Sequence, residues 1–102
     1  MKLQTYFFND RFEAALGDSL TSADLNAFRD LLAEMKKSKC KVMLLDLSNL
    51  NWIDSAGLGM LLLAKETSEK AGLDFVVRSP KGDVKSLLEL GRFDKIFNIE
   101  MT

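Results

Sequence analysis

The sequence predicts an α/β fold with a mixed, mostly parallel β-sheet, an N-terminal antiparallel hairpin at the sheet edge and about three helices. The main observation is that short apolar runs alternate with amphipathic stretches of helical period. This order builds a parallel sheet with right-handed crossovers. The strands predicted from these runs are 42–47, 75–77 and 96–99.

A second observation places a hairpin before them. Segments 3–8 and 11–16 are rich in residues that favour strands, and Asn9-Asp10 lies between them. This dipeptide suits the tight turn of an antiparallel hairpin. We therefore expect these two segments to form the antiparallel edge of the sheet.

Start and stop signals define the helices, which are predicted at 22–38, at 55–70, and from Ser79-Pro80 to Gly91. Thr21 and Asp24 are spaced almost as a capping box at the first start. Gly72 stops the second helix, and Ser79-Pro80 suits the N-cap and first position of the third. Residues 48–53 are expected to form a loop before the second helix.

Composition indicates one globular domain over 1–102, because 47% of the residues are hydrophobic and 28% are charged. Lys and Arg total 14 and Asp and Glu total 15, for a net charge of −1. That balance gives no bulk attraction to nucleic acid. No apolar stretch is long enough for membrane insertion, and the start has no signal-peptide pattern. We expect a cytoplasmic protein.

The lack of histidine and the single cysteine exclude several kinds of catalytic and metal sites. The chain has no histidine, which removes Ser-His and Cys-His catalytic pairs and histidine metal ligands. Its single cysteine, Cys40, excludes a disulfide framework and a cysteine-rich zinc site. A small buried residue before a strand is a better interpretation of Cys40 than a reactive thiol. We expect no enzyme, no cofactor and no metal.

The most informative segment is 52–60, Trp-Ile-Asp-Ser-Ala-Gly-Leu-Gly-Met, between the central strand and the second helix. Sites in open α/β sheets gather at the carboxyl ends of strands. Asp54 or Ser55 can cap the helix. Gly57 and Gly59 fall in its first turn, where glycine is costly, so close approach of another backbone or of a partner is expected there.

Enzymatic motifs do not match this segment. Leu62 stands where a dinucleotide fingerprint needs its third glycine, and no phosphate-binding loop or nucleophile elbow is present. Asp46 and Asp54 are two carboxylates without further metal ligands. A purely structural interpretation stays open, with Ser55 as the cap and the glycines serving tight packing. The apolar run from Met60 to Leu63 is then core.

The residues Asp54-Ser55-Ala56-Gly57-Leu58-Gly59 follow an apolar strand that ends Leu44-Leu45-Asp46-Leu47. Together they resemble the signature of STAS domains and, more narrowly, of the bacterial anti-sigma factor antagonists. The resemblance also covers the tail from Ser79-Pro80 to Ile99. It implies a STAS-like fold and a role in protein binding.

The resemblance implies that Ser55 is phosphorylated by an anti-sigma factor with serine kinase activity and reset by a serine phosphatase. The unphosphorylated protein would bind the anti-sigma factor and free a sigma factor, and an apolar interface on Leu58 and Met60 would not tolerate the phosphate. Thr21 stands where many relatives have aspartate, which puts contacts from that loop in doubt. The implied partner-binding residues are Thr21, Trp52, Asp54, Ser55, Ala56, Gly57, Leu58, Gly59 and Met60.

Alternatives remain at this stage. Trp52 is either an exposed hot spot of the interface or a lid on the core. A further C-terminal helix, common in relatives, is not expected after Ile99. The domain could instead be a STAS regulatory module of a lipid- or anion-transport complex or a stress-sensing scaffold. A small enzyme or nucleotide binder is the third hypothesis.

Overall fold

The computed structural model describes residues 1–101, which form a five-stranded mixed sheet and three α-helices. The strands are β1 (Lys2–Phe8), β2 (Arg11–Leu20), β3 (Val42–Ile53), β4 (Asp74–Arg78) and β5 (Asn98–Glu100). The helices are α1 (Leu25–Lys37), α2 (Ser55–Lys70) and α3 (Gly82–Leu90), with 3₁₀ turns at Ser22–Asp24 and Phe93–Lys95. The strand order is β1-β2-β3-β4-β5, with β1 antiparallel to β2 and the other pairs parallel. The predicted fold class is confirmed.

One face of the sheet carries the hydrophobic core. On β3, Met43, Leu45 and Leu47 are fully buried at every second position, as the alternation of side chains along a strand requires. The helices add Phe28, Leu31, Leu32 and Met35 from α1, Met60, Leu61 and Ala64 from α2, and Val84 and Leu88 from α3. All of these residues belong to one cluster, which also includes Cys40 just before β3. The core therefore lies between this face and the helices.

The opposite face carries a network that we call the ionic cluster: Arg11, Glu13, Asp46, Arg78 and Glu100. Arg78 donates from Nη1 and Nη2 to the two carboxylate oxygens of Glu13, at 3.1 and 3.2 Å. These hydrogen bonds raise the pKa of Arg78. Asp46 Oδ2 lies 3.7 Å from Arg78 Nη1. Because Glu13 is buried, its charge depends on this pairing for compensation.

The N-terminal hairpin forms as predicted. Asn9 and Asp10 both have left-handed backbone angles, with φ of 49° and 62°, which is typical of the two-residue turn that matches strand twist. Phe8 and Arg11 are the paired residues next to this turn. The first strand thus lies at the edge of the sheet, and all of its residues are exposed.

The central strand β3 is longer than its apolar run indicates. It continues through Ile53, so the prediction of a loop over 48–53 is wrong. Its pairing with β2 shifts register twice, and each shift is a β-bulge that adds one residue to β3. Buried positions therefore recur at steps of three, at Leu47, Leu50 and Ile53, and the period-two signal of a strand is lost there.

The predicted start of the third helix at Ser79-Pro80 is also wrong. Ser79 has a φ of 52°, and its backbone N–H donates to the Glu100 carbonyl at 2.8 Å. This bond keeps the chain against β5 after β4 ends. The helix begins only at Gly82, with Lys81 as its N-cap.

The last strand begins at Asn98 rather than at Ile96. The preceding 3₁₀ turn and the packing of Phe97 explain the difference. The Phe97 ring contacts the rings of Phe75 and Phe93, at centroid distances of 6.0 and 6.1 Å. Phe97 is thus held in the core before the chain can extend as a strand.

Candidate functional site

The site begins at Asp54, which directly follows the central strand and caps α2. Its backbone is extended, and its Oδ1 accepts the Gly57 N–H at 2.8 Å, which satisfies one of the free donors at the helix start. Its own N–H donates to the Leu20 carbonyl of β2 at 3.3 Å. The cap is therefore bonded to the helix through its side chain and to the sheet through its N–H, and Asp54, rather than Ser55, is the capping residue.

The two glycines of the first turn have different surroundings. A Cβ at Gly57 would collide with the Leu20 carbonyl oxygen and the Ile53 side chain, so this glycine allows close approach of the helix to the sheet. A Cβ at Gly59 would meet no atom within 4 Å. Packing within the domain therefore requires glycine at position 57 and not at position 59.

Ser55 is the first residue of α2 and is exposed, as is Ala56 next to it. Within residues 1–101 the Ser55 hydroxyl has no hydrogen-bond partner. This hydroxyl is therefore accessible from solvent. The chain supplies no histidine to activate it as a nucleophile.

Apolar residues flank Ser55 in the chain, with Trp52 three residues before it and Leu58 three residues after it. Trp52 is 50% exposed, because the bulge on β3 leaves two successive residues facing solvent between the buried Leu50 and Ile53. Trp52 is therefore not a lid on the core, and its role as a hot spot of an interface stays a prediction. Leu58 is half-buried.

Two residues of the expected partner surface belong to the interior. Met60 is 3% exposed and is part of the core, because its position on α2 faces the sheet. Gly57 is buried against β2. The expectation of an apolar surface built on Leu58 and Met60 is therefore corrected, and only Leu58 of that pair reaches the surface.

The loop before α1 adjoins the site. Leu20 accepts the Asp54 N–H, and Thr21 is the next residue. Thr21 and Asp24 form the predicted capping box, in which the Thr21 N–H donates to Asp24 Oδ2 at 2.9 Å. This bond, together with the Met1 ammonium 3.0 Å from Oδ1, lowers the pKa of Asp24. The half-buried Thr21 is thus held in place beside Asp54.

The carboxylates considered as metal ligands have other partners. Asp46 accepts the Ser48 N–H at 2.9 Å and lies in the ionic cluster, whereas Asp54 caps α2. In the part of the chain that the structure describes, no three His, Cys, Asp or Glu residues are grouped as a metal site. Likewise, no helix within residues 1–101 has the length and apolar character needed to cross a membrane.

Comparison with known families decides the family. A family model described as "Mlab, STAS domain" matches residues 12–100. The chain belongs to the STAS domain family. The match begins in β2 and ends in β5, so it includes every element that positions Ser55 in this STAS domain.

Solved structures share the fold. A candidate anti-sigma factor antagonist from Thermotoga maritima has 21% identity and a TM-score of 0.85, over 98% of this chain and 86% of that chain. An anti-sigma factor antagonist from Mycobacterium paratuberculosis has 17% identity and a TM-score of 0.82, over 96% and 83%. Phosphorylated Bacillus SpoIIAA has 12% identity and a TM-score of 0.77, over 99% and 91%. At these identities the similarity establishes the fold of this STAS domain.

Proposed function

We propose that this STAS domain is an anti-sigma factor antagonist, a protein-binding switch controlled by phosphorylation of Ser55. The unphosphorylated domain binds an anti-sigma factor with serine kinase activity and so frees a sigma factor. Phosphorylation ends the binding, and a serine phosphatase restores it. The observation that carries the proposal is the exposed Ser55 hydroxyl, which has no partner within residues 1–101 at the first position of α2.

The start of α2 suits a phosphate group. The Asp54 side chain accepts the Gly57 N–H and its carbonyl accepts the Leu58 N–H. The N–H groups of Ser55 and Ala56 have no acceptor within the helix, because they lie in its first turn, where no helical carbonyl stands four residues earlier. Together with the helix dipole, these donors favour a negative charge. Ser55 is exposed, so phosphorylation leaves the core unchanged.

The surface that would bind the partner tolerates a phosphate group much less well than the start of α2 does. The exposed surface near Ser55 includes Trp52, Leu58 and Gly59, and a protein docked there would cover Ser55 too. A phosphoserine carries about −1.5 to −2 charges, and burying it without a partner costs several kcal/mol. A loss of about 4 kcal/mol weakens binding roughly 1,000-fold. The modification therefore ends binding and preserves the fold.

The structural relatives support the idea that phosphorylation can change binding without changing the fold. SpoIIAA has solved structures in phosphorylated and unphosphorylated forms, and this domain matches them with TM-scores of 0.77 and 0.74. Both states of that protein thus have the fold described here. We infer that a phosphate on Ser55 acts locally in this chain.

The binding test uses Trp52, the only tryptophan in the chain, as a fluorescent reporter. Titration with the anti-sigma factor should shift its emission for the wild type and for Ser55→Ala. Ser55→Asp should weaken binding by at least about 100-fold. Ser86→Asp, which adds the same charge at an exposed position of α3, is the matched control and should bind as the wild type does. Equal binding by Ser55→Asp and the wild type would contradict the proposal.

A second candidate function has one observation in its favour. The family model that matches residues 12–100 is described as a STAS domain and does not name an anti-sigma factor antagonist, so the family leaves the partner open. The alternative is a STAS regulatory module of a lipid- or anion-transport complex or a stress-sensing scaffold. Affinity purification with Ser55→Ala as bait separates the two functions. A soluble serine kinase supports the first, and a membrane ATPase supports the second.

A further inference from the structure

The strand β1 is an unprotected edge of the sheet. It pairs with β2 on one side only, so the N–H and C=O groups of its other side have no partner within residues 1–101. Natural edge strands are usually protected by charges, proline or bulges. From Leu3 to Phe8 this strand has none of them. Its exposed large apolar side chains are Leu3, Tyr6, Phe7 and Phe8.

The hairpin geometry determines which backbone groups point outward. Phe8 and Arg11 flank the two-residue turn and form a hydrogen-bonded pair. Because hydrogen-bonded and non-hydrogen-bonded pairs alternate, Leu3, Thr5 and Phe7 direct their N–H and C=O groups away from β2. These three residues form a row of donors and acceptors along the free edge.

We propose that this edge binds a second copy of the chain, with the two β1 strands antiparallel about a two-fold axis at Thr5. A two-fold axis that relates antiparallel neighbours is perpendicular to the sheet, so residues of the same face must pair. The seven-residue strand Lys2–Phe8 is centred on Thr5. Pairing about Thr5 is therefore the register in which every residue of the strand has a partner, and it forms about six backbone hydrogen bonds.

The side chains suit this register. Leu3 of each copy lies opposite Phe7 of the other, Gln4 opposite Tyr6, and Thr5 opposite Thr5. Apolar–aromatic and Thr–Thr pairs of this kind stabilise neighbouring strands. The only charged residue of the strand, Lys2, meets Phe8 and lies near the turn of the other copy, which carries the exposed Asp10. No like charges are opposed, so the surface is complementary to itself.

The dimer does not rest on the proposed function. Ser55 follows β3, whereas the new contact involves β1 alone. The helices of both copies lie on the same side of the joined sheet, because the axis preserves its faces. The dimer thus carries two copies of the Ser55 site.

Sedimentation velocity over a concentration series tests the proposal, with Thr5→Lys and Thr5→Glu as the diagnostic variants. Thr5 is exposed, so either charge is compatible with the monomer, but two like charges meet at the axis of the dimer. The wild type should dimerise, and each variant should dimerise at least about 10-fold more weakly. An equimolar mixture of the two variants should recover the dimer, because Lys then faces Glu. This recovery excludes misfolding as the cause of the loss.

Two controls make the result decisive. Asn98→Lys places the same charge on an exposed residue of β5, at the other edge, and should dimerise as the wild type does. Thr5→Cys in a Cys40→Ser background should form a disulfide-linked dimer more readily than Gln4→Cys, because the Thr5 Cα atoms would lie about 5.5 Å apart. A wild type that stays monomeric at about 1 mM, or a Thr5→Lys variant that dimerises normally, overturns the proposal. If the wild type stays monomeric, the free edge of β1 would instead be available to pair with a strand of another protein.

Discussion

The two halves of β3 belong to one strand and have different roles. Residues 42–46 pair with β2 on one side and β4 on the other, and the run from Met43 to Leu45 is fully buried on both faces of the sheet. Within residues 1–101, the second half, residues 48–53, pairs with β2 and not with β4, and it includes a bulge that leaves Trp52 half exposed. Pairing on both sides fixes side chains in the core. In the second half of β3, β4 is no longer a neighbour and the bulges change the alternation of side chains. Side chains such as Trp52 therefore reach the surface a few residues before Ser55.

The largest expected effect contrasts a core residue of the first half with a surface residue of the second. Leu45 is fully buried and Trp52 is half exposed. Leu45→Ala should lower the free energy of unfolding by about 2–5 kcal/mol, because it leaves a cavity. Trp52→Ala should lower it by about 1 kcal/mol or less and instead weaken partner binding. Urea unfolding and the binding assay check both, and a more damaging effect of Trp52→Ala on stability would contradict the contrast.

The next effect separates the two glycines that follow the second half. Gly57→Ala should destabilise the domain by about 1–3 kcal/mol, because the new methyl group meets the Leu20 carbonyl. Gly59→Ala should stabilise it by about 0.5–1 kcal/mol, since alanine is the better helix former and space is free. Thermal unfolding of both variants measures this. If both variants shift the unfolding temperature in the same direction, the two glycines of the first turn of α2 do not differ in packing, and the contrast is contradicted.

A smaller effect concerns the ionic cluster beside the first half. Glu13→Ala removes the partner of Arg78, whose side chain is 21% exposed. We expect a loss of about 1–2 kcal/mol, because partial exposure reduces the cost of the unpaired guanidinium. Glu66→Ala, which removes the exposed Lys70–Glu66 pair at 3.1 Å on α2, is the control. Its loss should stay below about 0.5 kcal/mol. Equal losses in urea unfolding would mean that the cluster is no stronger than a surface pair.

The smallest effect is the pH dependence contributed by Asp24 in the loop beside the second half. Its pKa is lowered in the folded state, chiefly by the Thr21 N–H. The unfolded chain therefore binds more protons, and the stabilisation is present above the ordinary aspartate pKa of 3.8. It is lost as pH falls through the folded pKa. Asp24→Asn should reduce the slope of stability against pH in that acidic range, measured by urea unfolding. An unchanged slope would show that the capping box contributes nothing.

The sequence was informative where one local rule governs one element. Helix α2 spans Ser55–Lys70 as predicted, because an N-cap residue and Gly72 mark its ends. The first α-helix lies inside the predicted 22–38, although its first turn is 3₁₀. The hairpin turn at Asn9-Asp10 likewise follows from residue type. Each of these features depends on neighbours in the chain.

Features that depend on distant contacts were missed. The sequence predicts a loop for the second half of β3, because bulges against β2 set its buried positions at steps of three and hide the strand pattern. It does not show that Met60 is buried, because a run of apolar residues does not reveal which of them face the sheet. It predicts Ser79 as a cap, because the bond of Ser79 to Glu100 comes from a different strand. In the candidate site, the sequence predicts a close approach at the two glycines, but it does not distinguish Gly57, which is buried against β2, from Gly59, which is exposed.

The most direct test of the central claim is to locate the phosphate. The purified domain is incubated with ATP and the serine kinase captured by the Ser55→Ala bait, and the product is analysed by intact-mass and peptide mass spectrometry. We predict one phosphate, on Ser55, in a domain that unfolds at an unchanged temperature and no longer binds the anti-sigma factor. A phosphate on another residue, or a Ser55-phosphorylated domain that still binds, would contradict it.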